Sequence, residues 1–241
     1  MLLECLHTIL TDKRVDEIIL ADDCSSDAEK TYDIVNRLNN VLLMSGLEDK
    51  IKLKLSDVNR KGFYNKIEAI KHAKNEWVIL LDSDNYLHYS YINKLMELPS
   101  WEKDTIYCPE FAEPNFSYSL FFGVPIDYEY TKRMLEGKSE KMQDAFRLLL
   151  NTGNFFFNKN VYLVILESEK ENLIEPYGVC SFYFNYLWLK NGNKMKVVKG
   201  ASYFHRIHDE SYWIQNDKIS IRMTELIIDS IKNNFSVIKQ L

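Results

Sequence analysis

Glycine and proline are scarce, 8 and 5 among 241 residues. So few turn-formers exclude a chain of tight turns and point to long regular elements. The four cysteines, Cys5, Cys24, Cys108 and Cys180, lie far apart and form no C-x-x-C pair. That spacing argues against a zinc knuckle or a disulfide framework and leaves reduced thiols, in a cytoplasmic setting or at the cytoplasmic face of a membrane, as the expectation. Basic residues are not in excess: 30 Lys and Arg stand against 35 Asp and Glu, a net charge of −5. A nucleic-acid partner, which needs a basic face, is not expected. No apolar run approaches the roughly 20 residues of a membrane span. The opening Met1-Leu2-Leu3-Glu4-Cys5-Leu6 lacks the basic region and long apolar stretch of a secretory signal. Internal repeats, low-complexity tracts and Pro/Ser-rich linkers are absent, so a single domain over residues 1–241 is the simplest organisation.

What is present is the composition of a globular chain, 46% apolar and 27% charged, long enough to bury a full core. Leu3, Leu6 and Leu10 predict a short helix over 2–10. Val15 to Ala21 predicts a buried strand ended by two aspartates. Ser26-Asp27-Ala28-Glu29 has the form of a capping box opening a helix to about Leu43. A strand over 50–55, a helix over 62–74, an apolar strand over 77–81, a helix over 91–98 and a strand over 105–109 follow. This alternation predicts an α/β fold with a mostly parallel sheet flanked by helices. The second half is less regular. It reads as helix over 127–150, strand over 154–157, an aromatic helix over 182–190, two short strands over 194–198 and 202–206, and an amphipathic helix over 213–231. The dense run from Phe182 to Trp188 suits a buried helix better than a sugar platform.

In an open parallel sheet, ligands bind beyond the carboxyl ends of the strands. Two apolar strands deliver acids there: Ile18-Ile19-Leu20-Ala21-Asp22-Asp23 and Val78-Ile79-Leu80-Leu81-Asp82-Ser83-Asp84. One aspartate at a strand end is usually a turn or cap residue. Two acidic strand ends in one sheet form a negative pocket that repels itself unless a cation or a hydrogen-bond donor fills it. The carboxylates of Asp82-x-Asp84 can share one hard divalent cation, Mn²⁺ or Mg²⁺, one directly and one through water or a ribose hydroxyl.

With these motifs in order, the chain resembles the family 2 glycosyltransferases of GT-A fold. Asp22-Asp23-Cys24-Ser25-Ser26-Asp27 is similar to the family's V-D-D-G-S-T-D. Asn59-Arg60-Lys61-Gly62 is similar to its N-x-G, with one residue more before the glycine. Leu81-Asp82-Ser83-Asp84-Asn85 resembles L-D-S-D-D. Thr152-Gly153-Asn154-Phe155-Phe156-Phe157 resembles the stretch supporting the acceptor side, and Tyr203-Phe204-His205-Arg206-Ile207-His208 an H-R-x-H segment of some bacterial members. The resemblance implies a GT-A, Rossmann-like nucleotide-sugar-binding half over 1–110 and a smaller, irregular acceptor-side half with the C-terminal helix over 111–241. It implies that Asp23 bonds the nucleotide base with Asp22 beside it, that Lys66 faces the donor diphosphate, and that Asp82 reaches the ribose or a metal-bound water. Asp84 would ligate the metal, and His208, rather than His205, would complete the metal site or touch the pyrophosphate from the C-terminal loop. The implied partners are a nucleotide-diphospho-sugar donor and a glycan, lipid-linked or protein acceptor, with inversion at the transferred sugar.

Two departures from the family carry expectations of their own. Members begin with an apolar strand ending in a T-Y-N-like loop, ahead of the helix that here starts at Leu2. Either the chain is a fragment or mis-started gene product, or the strand from Val15 pairs directly with the one from Trp77; a missing central strand would leave ladder hydrogen bonds unmade. Weaker nucleotide binding, a substitute element, or a second copy covering the edge in a homo-oligomer are the consequences expected. The family's G-E-D-like turn, which carries the catalytic base, corresponds to Tyr177-Gly178-Val179-Cys180-Ser181, without a carboxylate. Glu175 is the nearest substitute. Asp209 and Glu210 are less suited, and Tyr212 and Trp213 are candidates to stack on a sugar. Both departures leave room for a non-catalytic nucleotide- or glycan-binding partner subunit. A third reading takes Asp82-x-Asp84 as the nucleophile loop of a haloacid-dehalogenase-like phosphatase. Tyr86, where that family carries Thr or Val, and the strand–helix–strand–helix ahead of the motif speak against it.

Overall fold

The computed structural model describes residues 1–47, 50–137, 139–208, 211–235 and 237, with Tyr212 and Trp213 as backbone only. In chain order the elements are α1 (Leu2–Leu6), β1 (Ile18–Asp22), α2 (Ala28–Met44), β2 (Ile51–Leu55), α3 (Lys61–His72), β3 (Trp77–Ile79), β4 (Tyr86–Leu87), α4 (Tyr89–Met96), β5 (Thr105–Glu113) and β6 (Phe116–Ser117). There follow α5 (Tyr128–Glu136), α6 (Glu140–Leu150), β7 (Phe156–Asn158), α7 (Lys159–Ser168), α8 (Cys180–Lys190), β8 (Lys194–Phe204), α9 (Tyr212–Gln215) and α10 (Asp217–Asn233). The expected α/β alternation is present. The sheet, however, is mixed where the sequence predicts a mostly parallel one. β1–β2 and β5–β8 pair parallel, while β3–β7, β5–β7, β5–β6 and β4–β8 pair antiparallel. Among the described residues no helix is long and apolar enough to cross a membrane.

The main sheet has the order β3-β7-β5-β8-β4, with β6 folded back on β5. β8 is one strand where the sequence predicts two. Gly200, at φ +77°, makes an irregularity opposite Glu110, whose Oε2 accepts from the Gly200 amide at 2.7 Å, and pairing resumes at Ser202. A positive φ is a conformation glycine adopts at little cost. The expected capping box at Ser26 does not form. The helix starts two residues on, at Ala28, and Ser25 turns instead to Asp22.

The sheet is split. β1 and β2 form a separate two-stranded piece, and β1 does not pair with β3. The direct pairing allowed by the sequence is therefore not what the chain does, and among the described residues no strand lies between the two. β1 and β3 are nonetheless held alongside each other. Near their starts, Glu17 accepts from the Lys74 amide and Asp16 from Asn75 Nδ2 at 3.1 Å. Near their ends, Asn65 donates to the Ala21 carbonyl at 3.0 Å, and its neighbour Lys66 pairs with Asp82. Both strands thus run the same way and deliver their acidic ends to one edge. Ile19, Leu20, Val78 and Ile79 are only half-buried along this interval.

The core lies beside α8, whose residues from Cys180 to Leu189 are all buried. Phe155, Phe157, Tyr162, Phe184 and Trp188 form one aromatic cluster, with Tyr162 and Phe184 stacked. The aromatic run is core, as its density predicts. Trp188 is fully buried and its indole N–H donates to the Lys194 carbonyl at 2.9 Å. Trp188→Ala is expected to cost about 3–5 kcal/mol through the cavity it leaves, lowering Tm by roughly 10 °C. A thermal melt shifted by only a degree or two contradicts this packing.

Candidate functional site

The site is built from the carboxyl ends of β1 and β3 and the loops that meet them. Asp22 and Asp23 leave β1 in different roles. Asp22 accepts from the Ser25 amide at 2.9 Å and from the Ser25 hydroxyl, so it shapes its own turn. Asp23 reaches across to the loop before α3, where its Oδ1 accepts from the Arg60 amide at 2.7 Å. Both loops are strained. Cys24 has φ +63° and Lys61 φ +72°, a region side-chain-bearing residues rarely adopt. Cys24 stands where the similar motif has glycine. Lys61, not Gly62, takes the left-handed turn after Asn59, which accounts for the extra residue in that segment.

The segment after β3 brings Asp82 against α3. Lys66 Nζ lies 2.6 Å from Asp82 Oδ1, with the two side chains 22% and 32% exposed. Burial opposes the charge on Lys66, but Asp82, Cys180 and Asp84 outweigh it and hold its pKa above the ordinary lysine value. The Asp82 amide donates to Asn154 Oδ1 at 2.9 Å, and Tyr91 fixes Asn154 by donating to its carbonyl. Gly153 lets this strand approach. A Cβ there would stand 2.9 Å from Asp82 Oδ2 and 2.5 Å from Ser181 Oγ. Gly153→Ala is therefore expected to destabilise by about 1–3 kcal/mol through overpacking, and Ser181→Gly in the same chain to restore part of it. Equal melting temperatures for Gly153→Ala and wild type would contradict this close approach.

Asp84 faces the other way, towards the loop after β8. Its Oδ2 lies 3.1 Å from His208 Nε2, while its Oδ1 is buried without a partner among the described residues. His205 turns instead to Asn115, whose Nδ2 lies 3.2 Å from its Nδ1, and burial lowers its pKa. Among the described residues no group of three His, Cys, Asp or Glu side chains gathers as a cation site. Asp82 is engaged by Lys66, and the pair left to hold a cation is Asp84 with His208. That pair fits a divalent ion. A buried carboxylate oxygen is unsatisfied, and adjacent ligands of an octahedral ion at ~2.1 Å stand about 3 Å apart, close to the Asp84–His208 separation.

Glu175 stands near Asp23 and Lys61. Its Oε1 accepts from the Tyr177 amide at 3.0 Å, and its Oε2 is buried without a partner among the described residues. Burial, reinforced by Asp23, raises its pKa to about 7 against the opposing pull of the Tyr177 amide and Lys61. A carboxylate poised there can take up a proton near neutrality. Asp209 and Glu210, and the side chains of Tyr212 and Trp213, lie outside the described residues.

Sequence reasoning misses Asn154 and Gly153 as supports of Asp82, Asn85 and Arg206 as supports of Asp84, and the helix α7. The segments holding Gly153, Asn154, Asn85 and Arg206 are visible in the sequence, but no local pattern shows that they converge.

The comparisons with known proteins bear on this geometry. Residues 1–160 match the family described as "Glycosyl transferase family 2". No curated protein matches the chain significantly in sequence. Among solved structures, S. aureus TarS 1-349 in complex with UDP superposes with a TM-score of 0.60 at 16% identity, covering 98% of this chain and 66% of that one. TarS 1-349 in complex with UDP-GlcNAc gives 0.59 at 15%, covering 95% and 67%. GalNAc-T7 with UDP, GalNAc and Mn²⁺ gives 0.62 at 14%, covering 95% and 45%. The chain thus spans about two thirds of the TarS fragment and less than half of GalNAc-T7. At these identities the likeness is one of fold, and that fold is GT-A.

Proposed function

This chain belongs to glycosyl transferase family 2, and from that membership we propose that it transfers a sugar from a nucleoside-diphosphate donor to a hydroxyl of a glycan, lipid-linked or protein acceptor. What supports the reading is that Lys66 of α3 pairs with Asp82 and His208 with Asp84, while Asp23, at the end of β1, holds the loop before that same helix through the Arg60 amide. UDP in the TarS and GalNAc-T7 structures makes a UDP-sugar the first donor to try. The phosphatase reading of Asp82-x-Asp84 falls with the family assignment.

In this proposal Asp23 bonds the base, with Asp22 holding its turn. Asp82 meets the ribose or a metal-bound water, and Lys66 pairs with the diphosphate as well as with Asp82. Asp84 and His208 would hold Mn²⁺ or Mg²⁺, which when bound would offset charge developing on the departing diphosphate. The acceptor oxygen attacks the anomeric carbon from the face opposite the diphosphate. The carbon–oxygen bond to the diphosphate breaks, its electron pair leaves with the nucleoside diphosphate, and the acceptor proton passes to the Glu175 carboxylate. Inversion follows from that geometry. Residues 1–110 form the donor side, joined by His208, and the rest of 111–241 the acceptor side, and the cytoplasm, or its membrane face for a lipid-linked acceptor, is the place of action.

The split between β1 and β3 favours a second reading, a chain that binds nucleotide without turnover. A donor-hydrolysis assay over a panel of UDP-sugars with Mn²⁺, run beside nucleotide titration, separates the two. Release of UDP supports the transferase. Binding without release supports the second reading, and neither binding nor release overturns both.

A further inference from the structure

The geometry points to Arg206 as a positioning residue that holds Asp84 and His208 in register as a donor pair for a cation. The inference rests on the proposed metal-dependent reading of that pair. Three contacts carry it. Arg206 Nε donates to the Asp84 carbonyl at 3.0 Å, the Arg206 amide donates to Asn85 Oδ1 at 2.9 Å, and its outer nitrogen pairs with Glu4 of α1. Asn85 is itself buried, at 4% exposure. Two bonds therefore tie residues 84–85 to residue 206, only two positions before His208. The 3.1 Å approach of His208 to Asp84 is made by segments 124 positions apart in the chain, and Arg206 links them.

A guanidinium beside a cation site would weaken that site if its charge were free. Here Glu4 answers the charge, and the Glu4 pKa is lowered by the bond to Arg206 and by its charge. The fork geometry of arginine lets one side chain hold a backbone carbonyl and a carboxylate together, which the single ammonium of lysine does less well. Arg206 thus contributes geometry rather than charge, and it does so without touching donor or cation.

The test is Mn²⁺ binding followed by electron paramagnetic resonance in the presence of UDP, on the full chain, with melting temperature and steady-state kinetics measured alongside. Arg206→Ala is expected to weaken Mn²⁺ about tenfold or more, the usual cost of removing a group that orients a ligand. The apparent KM for Mn²⁺ should rise in step, with kcat largely recovered at saturating metal. Arg206→Lys should fall between wild type and Arg206→Ala, and it serves in its place if the alanine variant does not fold. Glu4→Gln should weaken Mn²⁺ less than Arg206→Ala, because it leaves the Asp84 and Asn85 bonds in place. Wild-type Mn²⁺ affinity in both arginine variants, even with a lowered melting temperature, would overturn the positioning role while leaving the metal site standing. No Mn²⁺ binding by the wild type would overturn the metal site and this inference together.

Discussion

Replacement of Asp84 by asparagine is expected to remove Mn²⁺-dependent nucleotide binding while the chain still folds. The carboxamide keeps the size of the side chain and one oxygen near His208. It loses the negative charge and one of the two carboxylate oxygens. Loss of a group that merely orients a ligand costs about 10–100-fold in metal affinity, so loss of the charged ligand itself should cost at least about 100-fold. Folding should not suffer, because the substitution removes one of the two negative charges, Asp82 and Asp84, that act on the buried Cys5 thiol. Titration of UDP with and without Mn²⁺ is the check. An Asp84→Asn chain that binds UDP with undiminished Mn²⁺ dependence would remove Asp84 from the cation site.

Glu175→Gln is expected to reduce turnover by about 10²–10⁴-fold, the contribution of a positioned general base, with donor affinity little changed. The pH dependence gives the sharper signature. The folded pKa of Glu175 is raised to about 7, chiefly by burial. The proton-accepting form is therefore lost as pH falls through about 7, and wild-type kcat should decline on that acid limb. The glutamine variant should show a residual rate without it. The same shift acts on stability. A carboxyl with a raised folded pKa favours folding in its neutral form, so the stability associated with it declines as pH rises from the ordinary value of 4.5 to about 7. Glu175→Gln should then melt higher relative to wild type at pH 8 than at pH 4. A glutamine variant with full turnover and an unchanged acid limb would return the base to another residue.

How much of this is legible in the sequence depends on the range of the interaction. The strands 18–22 and 77–79 and the helices between them are marked by local periodicity, and the acids at their ends by position, so the donor edge can be drawn from local pattern alone. The Asp84–His208 approach is legible only through the order of motifs, because nothing local links positions so far apart. The single strand β8 reads as two because Gly200 interrupts the apolar alternation, while its continuation across the glycine, with Gly200 bonded to Glu110 and Ser202 paired with Phe111, is set by tertiary contacts. Asp22 and Asp23 look alike in sequence. Only the turn geometry sends one to Ser25 and the other to Arg60. The division of the sheet between β1 and β3 is a matter of packing, because whether two strand edges close on each other is something periodicity does not encode.

The central claim is that acids from the two strand ends act together on one donor, with a divalent ion between protein and diphosphate. Isothermal titration of the wild-type chain with UDP, once with Mn²⁺ and once with a chelator, tests it most directly. The account predicts saturable UDP binding with Mn²⁺ and a large loss of affinity with the chelator. Equal affinity in the two conditions, or no binding in either, would contradict it.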